Sequence, residues 1–145
     1  MTVAAMIVAA LVFVALLTMA LAHLMWATGS TWPIRDPALL ARTVVGKPGL
    51  ERVPRLRALV VAIIALGSGV YALALADPLA GGPAFTAFGA LLAVLFLARG
   101  ALGYTGNWRA RRSEEPYASL NRNNYSPLNL AIGVGFAVLV LLRTL

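Results

Sequence analysis

Residues 3–27 read VAAMIVAALVFVALLTMALAHLMWA, a stretch with no formal charge, no proline and no glycine. At about 1.5 Å per residue it is long enough to cross a hydrocarbon core of about 30 Å as one helix. Ala20-Leu21-Ala22 has the small-x-small form of a signal-peptidase site. The stretch lacks a basic leader, however, and is longer than the usual signal core of about 7–15 residues, so it is expected to be retained as a membrane span.

Three further spans follow. One runs over about 58–76 and is closed by Asp77-Pro78. The next opens at Pro83, a residue suited to the first turn of a helix, and runs over about 83–104. The last covers about 127–142, with Ser126 expected as its N-cap and Pro127 at its first position. The tight turn 77–82 predicts that the second and third spans pack as a hairpin. The expected fold is therefore an all-α integral membrane four-helix bundle, one membrane domain over 1–145.

Composition supports this class. The chain is 61% hydrophobic and 12% charged, with a mean hydropathy of +0.85, well above the apolar usage of soluble domains. A net charge of +7 would point to nucleic acid in a soluble protein. Here hydropathy overrides that reading, and no nucleic-acid partner is expected. With no cysteine, disulfides, thiolate chemistry and iron–sulfur clusters are excluded. Heavy use of Ala, Leu, Val, Gly and Arg is the composition of a GC-rich bacterial chain, which places the expected location in the bacterial inner membrane.

Basic residues set the orientation, since Lys and Arg near span ends stay on the cytoplasmic side. Loop 28–57 carries Arg35, Arg42, Lys47, Arg52, Arg55 and Arg57, and loop 105–126 carries Arg109, Arg111, Arg112 and Arg122; the other side has Arg143 alone. That distribution predicts both termini outside and both long loops inside. In the first loop, Asp36-Pro37 followed by an apolar run and then Gly46 and Pro48 predicts a short amphipathic surface helix. Its basic neighbours would meet anionic lipid headgroups at about 1 kcal/mol each. Small residues four apart, at Ala65 and Gly69, Gly89 and Ala93, and Gly133 and Ala137, predict close helix approaches.

Several polar residues sit where hydrocarbon should exclude them. His23, Arg99 and Asn129 fall at a similar depth near the cytoplasmic ends of the first, third and fourth spans, with Tyr104, Asn124, Tyr125, Trp26 and Trp32 at the rim and Asn121 a further candidate. Taken singly, Arg99 could snorkel to the headgroups, His23 could make one interhelical hydrogen bond, and the aromatics could form an interfacial belt. Taken together, they outline a cytoplasm-side pocket in which Arg99 meets an anionic group, His23 handles a proton and the aromatics form walls.

The run His23-Leu24-Met25-Trp26-Ala27-Thr28-Gly29-Ser30-Thr31-Trp32, then Arg99 with Gly103 and Gly106, then Pro116-Tyr117-Ala118-Ser119-Leu120-Asn121 leading into Tyr125-Ser126-Pro127-Leu128, resembles a bacterial family of small four-helix membrane proteins called domain of unknown function 3995. Its pattern reads H-x-x-W-A-x-G-G-x-W and F-A-x-L-D-x-x-Y-Y-S-P-L. The chain departs from it at Ser30, Tyr117, Asn121 and Asn124. The Asn121 change removes a carboxylate that could have paired with Arg99. The resemblance implies the fold and that His23, Trp26, Arg99 and Tyr125 belong to a shared site, but no reaction.

Two functions of different class are compatible with these residues. One is a binding or accessory subunit holding a lipid-like or anionic ligand, alone, as a homo-oligomer or beside a larger membrane complex. The other is an enzyme on a lipid or isoprenoid-like substrate, with His23 as general acid or base and Arg99 on a phosphate or carboxylate. The enzyme is the weaker expectation, because no H-E-x-x-H and no phosphate-binding Gly loop with a following Lys is present. No cofactor or metal is expected; haem through His23 is a minor alternative with no second ligand in sight.

Overall fold

The computed structural model describes residues 2–145. Its elements are α1 (Val3–Ala27), α2 (Pro37–Val44), α3 (Arg55–Leu75), α4 (Pro83–Leu102), α5 (Gly106–Arg111), α6 (Tyr117–Leu120), a π-helical turn (Asn121–Tyr125) and α7 (Ser126–Thr144). Four helices are long and apolar enough to cross a membrane, the last counted as Tyr117–Thr144 in one piece. The protein is an all-α four-helix membrane bundle. Outward-facing Leu, Val and Ile side chains such as Leu11, Ile63, Val94 and Val134 are exposed, as lipid contact requires.

α1 packs along α3 and α4 along α7, while α1 against α7 joins the two pairs. The first pairing follows from α3's small residues. Ala58, Ala62, Ala65, Gly69 and Ala72 recur at helical spacing and are buried, and Gly69 lies against Phe13 and Leu16 of α1. The second pairing uses Gly133, where an added methyl would sit 2.8 Å from the backbone nitrogen of Leu97. Only glycine permits that backbone approach. Ala137, the other half of that expected pair, is exposed. Leu16, Leu75, Phe136 and Leu139 form the centre of the core, with Phe96 stacked on Phe136 at 5.8 Å.

The hairpin expected of the second and third spans is realised only near its turn. There the Tyr71 ring meets Phe85 and Phe88 at 4.4 and 5.1 Å, and its hydroxyl donates to the Phe85 carbonyl. Beyond the turn, α3 gives its small-residue face to α1 instead, so a short connection does not select the closest partner.

Arg143, counted from sequence as the lone outside basic residue, fastens this turn. Its Nε donates to Thr86 Oγ1 at 2.9 Å, and its Nη groups donate to the carbonyls of Leu75, Asp77, Ala80 and Gly81. Carbonyls left over at the end of α3 are thereby satisfied by a cation, which also suits the helix dipole.

At the other end, Asp36 Oδ1 accepts from Ala38 and Leu39 N–H groups and caps α2. The apolar face of this short helix is taken up by protein: Leu40 and Ala41 are buried, and α2 packs on α6. Gly46, at φ +66°, ends it so close to Tyr117 that a methyl would lie 2.3 Å from the ring.

The start of the fourth span differs from expectation. Ser126 does not cap it, because the chain is already helical from Tyr117 and passes through the π turn. Pro127 has no N–H to donate back to this turn, so the local α-helical ladder is broken anyway. The wider turn lets the Ser126 N–H reach the Asn121 carbonyl five residues back.

Candidate functional site

Asn121 is the hub of the arginine-rich end and is 2% exposed. Its Oδ1 accepts from Arg99 Nη2 at 3.2 Å, Tyr117 OH at 3.3 Å and Ser126 Oγ at 3.3 Å, and its Nδ2 donates to the Gly103 carbonyl at 3.0 Å. The π turn makes this possible, since residues five apart lie on different faces of a regular α-helix but share one here. One amide thus ties the end of α4 to the start of α7.

Arg99, one turn from the end of α4, points into protein. Its Nη2 also donates to Tyr117 OH at 3.2 Å, and its guanidinium lies 4.2 Å from the centre of the Trp108 ring. That ring carries Arg112 as well, at 5.2 Å, an arrangement in which two cations share one π face system. Arg99 Nη1 and Trp108 Nε1 are both buried and have no hydrogen-bond partner. Arg112 donates from Nη1 to the Val45 carbonyl at 2.6 Å. Burial pushes its guanidinium down from the usual range, repulsion from Arg57 and Arg99 acts the same way, and Tyr117 opposes them. Tyr125 closes the group: its ring is 5.6 Å from Tyr117, and its hydroxyl donates to the Thr43 carbonyl at 3.2 Å. Carbonyls at the end of α2 are therefore held by Tyr125 and Arg112, which makes α2 a cover over the cluster.

His23 belongs to a second group. Its Nδ1 lies 2.8 Å from the Met19 carbonyl of its own helix, its ring meets Trp26 edge-on at 4.8 Å, and Trp26 Nε1 donates to the Trp32 carbonyl at 2.8 Å. The motif of the first helix end thus folds back on itself.

The chain matches the family described as "Protein of unknown function (DUF3995)" over residues 16–136. It belongs to the DUF3995 family. No curated protein and no solved structure matches it. The DUF3995 match takes in both groups of side chains, but the family description carries no activity, so chemistry has to come from the residues themselves.

Of the eight residues expected to form one pocket in this DUF3995 protein, Arg99 and Asn121 are in direct contact and Tyr125 joins them through Tyr117. His23, Trp26 and Trp32 form their own cluster. Tyr104 donates to the Arg122 carbonyl at the rim, and Asn129 donates to the Tyr125 carbonyl one turn back. Sequence reasoning missed Trp108 and Arg112 as partners of Arg99, and missed Ser126 and Gly103 as partners of Asn121. The i, i+4 spacing of Tyr117 and Asn121 was the one available signal. Among the described residues no group of three or more His, Cys, Asp or Glu gathers as a metal site would need. Cavities of about 60 and 480 Å³ lie at the opposite end, beside Arg143.

Proposed function

We propose that this bundle is a binding or accessory subunit of a bacterial inner membrane, with its arginine-rich end in the cytoplasm and the Arg99 cluster holding an anionic, lipid-like ligand. The observation that carries the reading is the inward Arg99 guanidinium, whose Nη2 is bonded to neutral groups while Nη1 is buried without a partner. A half-buried cation with one buried, unbonded nitrogen is costly, and an anion is the group that relieves it. With Asn at position 121 no carboxylate supplies that charge from within the hub. His23 bonds within its own helix rather than to Arg99, which favours binding over proton transfer. The ten basic residues at this end support the cytoplasmic orientation and add affinity for anionic headgroups. Native mass spectrometry of protein released from mild detergent tests the reading. A retained anionic lipid or partner subunit that is lost in Arg99→Gln is expected; bare protein with neither refutes it.

A further inference from the structure

Two cations meet on one indole ring at the covered end of the bundle. Arg99 and Arg112 lie 4.2 and 5.2 Å from the Trp108 ring centre. Two of the four acids at this end are engaged elsewhere: Asp36 caps α2, and the Glu115 carboxylate accepts from the N–H and hydroxyl of Ser119. Two donors, Arg99 Nη1 and Trp108 Nε1, are buried and unbonded, with the Arg99 guanidinium over the Trp108 ring. Trp108 sits on α5, a helix of six residues with no buried residue, held to the bundle through the Trp108 ring. A segment with so little burial opens at low cost.

We propose that this end binds a phosphate group between the Arg99 and Arg112 guanidiniums, with Trp108 Nε1 as a third donor, and that α5 shifts outward to admit it. The proposal rests on the anion-binding reading above and narrows its ligand class. A carboxylate brings one negative charge and two oxygens to two guanidiniums. A phosphomonoester brings about −1.5 to −2 and three terminal oxygens, enough for donors from two arginines and an indole. Guanidinium also matches phosphate with paired N–H groups, which an ammonium would not do. The phosphate could be a lipid headgroup or a soluble ion, and both present the same oxygens.

The test uses the full chain carrying Trp26→Phe and Trp32→Phe, so that Trp108 is its only tryptophan, in phosphatidylcholine nanodiscs. Inorganic phosphate is titrated against sodium acetate at matched ionic strength, and parallel discs contain phosphatidate. A saturable change in Trp108 emission with phosphate, or in phosphatidate discs alone, is expected. The first outcome supports the proposal with a soluble source, the second with a headgroup source. In Arg112→Gln and Arg99→Lys the apparent affinity should fall at least tenfold while helical circular dichroism is kept; unchanged affinity in both overturns the proposal. Equal responses to acetate and phosphate overturn the phosphate class and leave the anion-binding reading standing. Silence toward every anion, with a lipid still retained in native mass spectrometry, overturns the proposal alone. Silence together with bare protein overturns both.

Discussion

Replacing Asn121 by Ala should be the most damaging single polar substitution in the molecule. The amide makes four hydrogen bonds, to Arg99, Tyr117, Ser126 and the Gly103 carbonyl, at 3.0–3.3 Å and 2% exposure. Polar contacts between membrane helices average about 0.6 kcal/mol each, so the two that reach α4 give about 1.2 kcal/mol, and the two within its own helical stretch add about 0.5–1.5 kcal/mol each. Leaving the guanidinium short of another acceptor raises the cost, since bonds to charged groups are worth about 1.5–3 kcal/mol. A loss of about 2–4 kcal/mol is expected. Asn121→Asp is the informative companion: it keeps the acceptor and adds a charge facing Arg99, but an ionised carboxylate cannot donate to the Gly103 carbonyl. Its cost should be smaller than that of the Ala variant. Reversible unfolding in mixed micelles, followed by circular dichroism, measures both. A loss below about 0.5 kcal/mol for Asn121→Ala, the range of an ordinary surface change, would refute the assignment of Asn121 as the hub.

Other substitutions test the packing and topology. Gly133→Ala places a methyl 2.8 Å from the Leu97 nitrogen and should cost about 1–3 kcal/mol by forcing α4 and α7 apart, whereas Gly67→Ala, with nothing within 4 Å, should be neutral or slightly stabilising in the same unfolding assay. Arg143→Gln should free the Asp77–Gly81 turn, seen as faster amide exchange there and a stability loss of about 1–3 kcal/mol. A reporter fused after Leu145 should read outside the cytoplasm; a cytoplasmic signal would invert the proposed orientation.

The spans were legible because hydrocarbon imposes a length and a composition that no loop shares, as residues 3–27 show. The helix partners were less so. The turn 77–82 gave loop length but not which face of α3 was small, and that face, Ala58 to Ala72, chose α1. The depth of Arg99 could be read from span boundaries, whereas Asn121 lay in the expected loop 105–126 and was marked through the family resemblance. Trp108 and Arg112 could not be placed, because they lie on a short helix whose position depends on tertiary stacking rather than on any periodic signal. The π turn was hidden too: Ser126-Pro127 has the residues of a helix start, and only the preceding chain's packing against α2 and α4 makes it the middle of a longer helix.

A density map of the protein purified in mild detergent tests the central claim most directly. The account predicts non-protein density, ending in an anionic group, against Arg99 Nη1 and Trp108 under the cover formed by α2 and α5. A map in which the indole closes over Arg99 with nothing beside it, and lipid lies only along the outer faces of the four spans, would contradict the account.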